Sequence, residues 1–164
     1  MESHIKTASL NEIKDELQSV APAQLLALCL RLTKFKKENK ELLTYLLFEA
    51  HDLSAYIETV KREIDLLFGE INVSNVYFAK KTIRKILRIT NKHIRFTGSK
   101  QAETELLLHF CTSLQASGIP IKKNKALNNL FENQLKKIEK SMSSLHEDLQ
   151  YDYVKVFEQL KMAH

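Results

Sequence analysis

Apolar side chains recur every three or four residues along most of the chain, the spacing that places them on one face of an α-helix. The segment from Leu25 to Phe35 is the most apolar of these stretches, and its leucines cover a wide arc of the helix. Because a helix that is apolar over so wide an arc is normally buried, we expect this segment to lie near the centre of the fold.

Capping residues, Gly and Pro mark where the helices begin and end. Ser9 and Glu12 fit a capping box, and Pro22 suits the first turn of the next helix. Gly98 suits the left-handed position that closes a helix, and Ser144 opens a second apparent capping box. The predicted helices cover about 10–18, 22–35, 42–50, 53–70, 76–97, 100–117, 124–142 and 145–160.

The stretch 39–70 allows two interpretations, because its apolar spacing continues through His51 and Asp52. One is a single bent helix. The other is a break near Asp52, whose carboxylate suits an N-cap. We prefer the break.

The chain is poor in residues that form turns, with only 3 Gly and 2 Pro among 164 residues. Average usage would give roughly eleven and eight. Since chains rich in β-structure need many turns, this scarcity predicts long helices with few connections. We expect an all-α fold: an irregular multi-helix bundle or short α-α superhelix of about six to eight helices, in a single domain over 1–164.

Motifs of catalysis and metal binding are missing from the sequence. The glycines at 69, 98 and 118 are too far apart for a phosphate-binding loop, and no Glu-x-x-His pair suggests a di-metal bundle. A metal site at Glu49, His51 and Asp52 is less favoured than a helix cap. Glu105 and His109 have a spacing that also suits a plain surface pair, but a partly buried structural His109 is the favoured interpretation. We therefore expect no enzyme, no catalytic residue, no cofactor and no metal.

The N-terminal residues, the length of the apolar runs and the two cysteines predict a cytoplasmic protein. The first residues lack the apolar core of a secretory signal, and the longest apolar run, Leu25–Leu30, is too short to span a bilayer. Cys29 and Cys111 lie in separate apolar runs, so we expect two buried thiols and no disulfide.

One charge feature stands out, because no acidic residue occurs between Glu70 and Glu103. The predicted helix 76–96 in that interval is amphipathic, with cations on one side and apolar residues largely opposite. The candidate anion- or partner-binding residues on its cationic side are Lys81, Arg84, Lys85, Arg88, Lys92 and Arg95.

Like charges one turn apart destabilise a helix, so something should offset their repulsion. The favoured interpretation is an antiparallel acidic helix carrying Glu58, Glu63, Asp65 and Glu70. A nucleic-acid backbone, an acidic protein or, least favoured, an anionic membrane surface would also do so. Nearby aromatic residues, which in a single-strand binder would stack on bases, are expected in the core: Tyr77, Phe78 and Phe96. A second basic cluster follows Pro120: Lys122, Lys123 and Lys125.

The chain loosely resembles a group of uncharacterised all-helical bacterial proteins. In that group a Leu-rich helix leads into a lysine-rich turn and a second helix, as Leu25 to Phe48 does here, with Lys36-Lys37-Glu38-Asn39-Lys40-Glu41 in the turn. Tyr77-Phe78 followed by a basic run is a further likeness. The resemblance implies no function.

Three hypotheses follow for the function. The first is a non-enzymatic interaction or regulatory module that binds a protein partner or associates with itself. The second is a nucleic-acid-binding protein that uses the basic helix 76–96. The third is an enzyme of unrecognised type, which would require a deep pocket with convergent polar groups.

Overall fold

The computed structural model describes residues 4–164. Over these residues the secondary structure is helical, without a strand, which confirms the all-α class and the expected number of helices. The helices are α1 (Leu10–Ser19), α2 (Pro22–Phe35), α3 (Lys37–Thr44), α4 (Leu53–Gly69), α5 (Val76–Thr97), α6 (Lys100–Ala116), α7 (Lys125–Ser143) and α8 (Glu147–Ala163). A π-helical turn, Tyr45–Glu49, follows α3.

Local capping chemistry sets several helix ends as predicted. Ser9 and Glu12 form the complete capping box, with the Ser9 amide donating to Glu12 Oε2 at 2.7 Å. Asp52 caps α4 by accepting from the Ala55 amide at 3.0 Å, so the chain breaks near Asp52. Gly98 closes α5 with φ of 60°, a conformation that costs glycine little.

Two predicted helix ends are wrong. Ser144 does not cap α8, because its hydroxyl donates to the Ser141 carbonyl at 2.7 Å and so belongs to the end of α7. His146 is the N-cap, and its ring accepts from the Asp148 amide. The polar stretch after Phe35 is also not a break of several residues, since only Lys36 separates α2 from α3.

Contacts divide the chain into an N-terminal unit, residues 1–44, and a C-terminal unit, residues 45–164. The N-terminal unit holds α1, α2 and α3, with α2 packed against α3. None of these three helices has a buried side chain. The prediction that α2 is the central helix is therefore wrong, because periodicity reveals an apolar surface without revealing what covers it. The single domain over 1–164 stays a prediction.

The C-terminal unit is built around α6, which packs against α4, α5, α7 and α8. Phe110, Leu106 and Leu114 on α6 are completely buried, and so is Ile64 on the neighbouring helix α4. A helix in contact with four others is buried around most of its circumference and leaves only a narrow strip, which includes Gln101, Glu105 and Thr112, towards solvent. This explains why its buried residues do not form a single stripe: Ala102, Thr104, Leu106, Leu107, Leu108, Phe110, Cys111 and Leu114.

Buried polar groups in the C-terminal unit largely find partners inside it. The hydroxyls of Thr104 on α6 and Ser141 on α7 lie 2.8 Å apart, and Thr90 donates to the Ile86 carbonyl at 2.9 Å. Cys111 is buried as expected, and burial raises the pKa of its thiol. Cys29 is only partly buried, so the expectation of two buried thiols holds for Cys111 alone.

Among the described residues, no helix is both long enough and apolar enough to cross a bilayer.

Removing a side chain from α6 should destabilise the protein far more than removing an exposed one. We expect Phe110→Ala to lower the free energy of unfolding by about 3–5 kcal/mol, because it leaves a cavity in the core. Leu66→Ala, at a position 72% exposed on α4, should change it by less than about 0.5 kcal/mol. Urea unfolding followed by circular dichroism measures both, and equal effects would contradict a core centred on α6.

Candidate functional site

Helix α5 presents one face to the core and the other to solvent. Asn75 caps its start by accepting from the amides of Tyr77 and Phe78 at 3.1 and 3.2 Å. Its inward face consists of Ala79, Ile83, Ile86 and Thr90, all buried. The opposite face is therefore free to carry charge without any cost to the core.

The outward face of α5 carries a line of exposed cations. We call Lys81, Arg84, Lys85, Arg88 and Arg95 the cationic stripe; each is exposed. Its ends are about 21 Å apart along the helix axis, at 1.5 Å per residue. Lys92, the sixth candidate residue, is half-buried and is not counted with the stripe.

The acidic residues of α4 make no ion pair with the cationic stripe, although α4 packs against α5. Glu58 binds Lys61 at 2.7 Å, Glu63 lies 3.2 Å from His93, and Asp65 lies 2.6 Å from His109. Within the described part of the chain, no carboxylate lies within 4 Å of a stripe cation. The carboxylates of α4 therefore make no direct ion pair with the stripe, and the charge-balanced hairpin stays a prediction.

A shallow groove of about 530 Å³ runs beside the stripe, between α5 and residues of α6 and α7. We call it the cationic groove. Its charged lining residues are Arg84, Arg88, Arg95, Lys137 and Glu103. The one carboxylate is already engaged, because Glu103 Oε2 accepts from Lys100 at 2.7 Å. The groove thus has four cations and no unpaired anion.

Lys137 is a groove residue that the sequence pattern did not predict. It lies on α7, forty-two residues beyond the end of the stripe, among other exposed lysines of that helix. Charge patterning along one helix cannot identify a cation contributed by another. Only the packing of α7 beside α6 brings Lys137 to Arg88 and Arg95.

Two exposed aromatic side chains extend the stripe at the start of α5. Tyr77 is 59% and Phe78 is 55% exposed, and their ring centroids lie 5.6 Å apart. The Lys81 ammonium sits 4.6 Å from the centre of the Tyr77 ring, which continues the line of cations by one turn. The expectation that these two rings lie in the core is wrong, whereas Phe96 does pack against it.

The second basic cluster belongs to another part of the surface. Lys122, Lys123 and Lys125 are all exposed, as expected for a solvated cluster. Lys122 and Lys123 line a different cavity, of about 410 Å³, together with Gln115 and His164. Substitution of these three lysines therefore serves as a control that changes the net charge without changing α5.

A separate polar network joins α4, α6 and α8 through the Glu105 carboxylate. Lys61 donates to its Oε2 at 3.1 Å, while Tyr153 and Gln101 donate to its Oε1 at 2.5 and 3.1 Å. Glu105 does not pair with His109, which is partly buried, as expected for a structural histidine. His109 binds Asp65 of α4 instead.

Hydrogen bonding in this network sets the charge of Glu105. Burial alone would raise its pKa, but the bonds from Tyr153, Gln101 and Lys61 outweigh burial and lower it. Burial and the bond to Glu105 raise the pKa of Tyr153. Burial would lower the pKa of Lys61, yet Glu58 and Glu105 raise it. Three helices are thus tied together by one ionised carboxylate.

Asp52 and His51, which were considered as metal ligands, lie at the start of α4. Asp52 caps α4, and His51 lies exposed in the preceding turn. In residues 4–164 no group of three His, Cys, Asp or Glu side chains is arranged to hold a metal ion.

Comparison with protein-family models, with curated proteins and with solved structures finds no match to this chain.

The lowered pKa of Glu105 makes a testable contribution to stability. Its folded pKa lies below the unfolded value of about 4.3, so the contribution is present above that pH and is lost as the pH falls through the folded pKa. We expect Glu105→Gln to cost about 1–2 kcal/mol at pH 7 and progressively less below pH ~4. Urea unfolding at several pH values measures the difference.

The matched control is Glu158→Gln, which removes an exposed carboxylate that lies 3.5 Å from Lys161. It should cost less than about 0.5 kcal/mol at neutral pH. A difference between wild type and Glu105→Gln that does not vary with pH would show that the carboxylate's charge does not stabilise the fold.

Proposed function

We propose that the protein is a non-enzymatic helical binding module, and that its ligand is a single-stranded nucleic acid held along α5. The observation that supports this most is the cationic stripe, whose exposed cations have no carboxylate partner within the described residues and end beside two exposed aromatic rings. We place this activity in the cytoplasm.

Electrostatics gives the first argument for a polyanion. Cations one turn apart on a helix repel each other by roughly 0.2–0.5 kcal/mol per pair, and within the described residues no carboxylate lies within 4 Å of a stripe cation to offset this. A phosphate backbone would offset it and would release its condensed counterions on binding. The stripe's length of about 21 Å spans several consecutive phosphates of an extended strand.

The cationic groove gives the second argument. Arg84, Arg88 and Arg95 present planar guanidinium groups from one side, and Lys137 approaches from α7. Arginine donates two parallel hydrogen bonds from its planar guanidinium to one phosphate, a bidentate geometry that the ammonium of lysine does not have. A row of phosphates lying in this groove would therefore be bound by both charge and hydrogen bonding.

The aromatic residues favour a single strand over a duplex. Single-strand binders combine a basic track with exposed rings on which unpaired bases stack. Tyr77 and Phe78 stand in that relation to the stripe, since Lys81 contacts the Tyr77 ring. The bases of a duplex are stacked on each other and cannot use these rings.

A protein partner is the second candidate ligand, and the N-terminal unit favours it. Large apolar side chains on α1 and α2 remain exposed, including Leu26 at 62% and Phe35 at 79%. Surfaces of this kind mark interaction sites between proteins. A module that binds a protein through α1–α3 and a nucleic acid through α5 would combine both candidates.

Fluorescence anisotropy with a labelled oligonucleotide tests the nucleic-acid proposal. We expect binding to a single strand that weakens about 100-fold between about 50 and 200 mM salt, as five phosphate contacts require. The triple variant Arg84→Gln, Arg88→Gln, Arg95→Gln should reduce the slope of log K against log salt by about 2, at ~0.7 per contact.

The matched control removes three positive charges elsewhere: Lys122→Gln, Lys123→Gln, Lys125→Gln. Both triple variants have the same net charge, so only a ligand bound at α5 distinguishes them. Equal loss of affinity would mean that binding follows net charge alone. Absence of binding by the wild type at the lowest salt concentration would overturn the proposal.

Stacking makes a separate prediction for the aromatic end of the stripe. We expect Tyr77→Ala to weaken single-strand binding by about 5- to 150-fold, since stacking on one ring contributes ~1–3 kcal/mol per base. Binding to a duplex of the same length should be unchanged. The same anisotropy titration measures both, and an equal effect on the two ligands would place Tyr77 outside any base-stacking role.

A further inference from the structure

The cationic groove is lined by two kinds of side chain. Its four cations are exposed, whereas Leu87, Asn91 and Ile94, which line it from α5, are half-buried. Leu87 and Ile94 also pack against the hydrophobic core. The cations suit phosphates, but a phosphate gains nothing from contact with two apolar side chains. The backbone of a bound strand would therefore leave this part of the groove unused.

The part of the groove between Leu87 and Ile94 is large enough for a nucleobase. These two residues are seven positions apart on α5, about 10.5 Å along the helix axis at 1.5 Å per residue, and Asn91 lies between them. The whole groove holds about 530 Å³, a volume typical of small-ligand sites. A base has flat apolar faces and a polar edge, so it can contact both apolar side chains and still form hydrogen bonds.

Asn91 is the only uncharged hydrogen-bonding side chain that lines the groove. Among residues 4–164 its amide has no hydrogen-bond partner. The amide provides a donor and an acceptor side by side, which together can bind two neighbouring atoms on the edge of a base. The bases of a single strand are unpaired, so their edges are open to this contact.

Glu103 narrows the choice of base. Its carboxylate is the only one in the groove, and although Lys100 binds one of its oxygens, a carboxylate can accept several hydrogen bonds and donates none. It therefore favours a base with an amino group over the carbonyl oxygens of thymine, uracil and guanine. Adenine carries an amino group beside an accepting ring nitrogen, the pattern that asparagine binds with two hydrogen bonds. Cytosine also has an amino group, but adenine has two rings to contact Leu87 and Ile94.

We propose that the cationic groove holds one adenine base of the bound strand, and that Asn91 determines this preference. The base lies against Leu87 and Ile94, and its amino group and adjacent ring nitrogen bind the Asn91 amide. The phosphates on either side of it bind the arginines. This inference rests on the proposed single-strand binding, in which the cations supply affinity for any sequence and Asn91 supplies the choice of base.

Fluorescence anisotropy with three labelled single strands of equal length tests the proposal. One strand contains thymine throughout, and the other two carry a single adenine or a single guanine at the centre. We expect the adenine strand to bind the wild type at least about fivefold more tightly than the thymine strand, the lower end for a base bound by two hydrogen bonds. The guanine strand should bind no more tightly than the thymine strand. Since the three backbones are identical, all three should show the same salt dependence.

The variant Asn91→Leu should lose the preference for adenine and bind the thymine strand as the wild type does, because it removes the amide but no charge. Asn91→Ala should behave in the same way and adds no bulk to the groove. The matched control is Asn133→Leu, at an exposed asparagine on α7 that precedes Lys137 by one turn and does not line the groove. It should keep the preference. Circular dichroism should show unchanged helix content in all three variants.

The outcomes separate this inference from the function on which it rests. Equal, salt-dependent binding of the three strands would overturn the adenine site and leave the single-strand proposal standing. Tightest binding of the guanine strand would also overturn the adenine site, since arginine pairs with guanine. So would an adenine preference that persists after both Asn91 substitutions. Absence of binding to every strand would overturn both proposals.

Discussion

The C-terminal unit depends on the packing of α6 among four other helices. Because this helix contacts α4, α5, α7 and α8, every one of those helices must turn its apolar face inward. The residues on the opposite side of each of these helices then face outward. The cationic stripe lies outward because Ile83 and Ile86, on the opposite face of α5, are required in the core.

Polar contacts within this unit specify how the helices meet α6. The Glu105 carboxylate binds side chains from α4 and α8, and the Thr104 hydroxyl meets Ser141 of α7. Apolar packing alone tolerates sliding of one helix along another, whereas a hydrogen-bonded carboxylate has a single best position. These few contacts therefore fix the register in which the apolar faces come together.

Much of the local structure could be predicted from the sequence, because helix ends depend on neighbouring residues. Ser9, Asp52 and Gly98 act as predicted for this reason. Ser144 shows the limit of such patterns, since its hydroxyl has a competing acceptor at the end of α7. Ser144 could cap the start of α8 or bind the end of α7, and the sequence alone does not decide between them.

Which helix surfaces are buried was predicted less well, because a local sequence pattern does not show which other helix covers it. The leucines of α2 and the apolar residues of α6 give comparable local patterns, yet only α6 is surrounded by other helices. The stripe could be predicted because its residues lie on one helix. Lys137 could not, because only the packing of α7 brings it to the cationic groove. The exposure of Tyr77 and Phe78 likewise depends on the direction in which α5 faces.

The outward face of α5 has a consequence for how this sequence changes over generations. Mutations that disturb the core are removed by selection for folding, but the stripe residues cover nothing and slightly oppose the helix that carries them. Under selection for folding alone, random substitution would mix acidic and neutral residues into this face. Folding therefore constrains the two faces of α5 differently: it restricts the inward residues and leaves the composition of the stripe open.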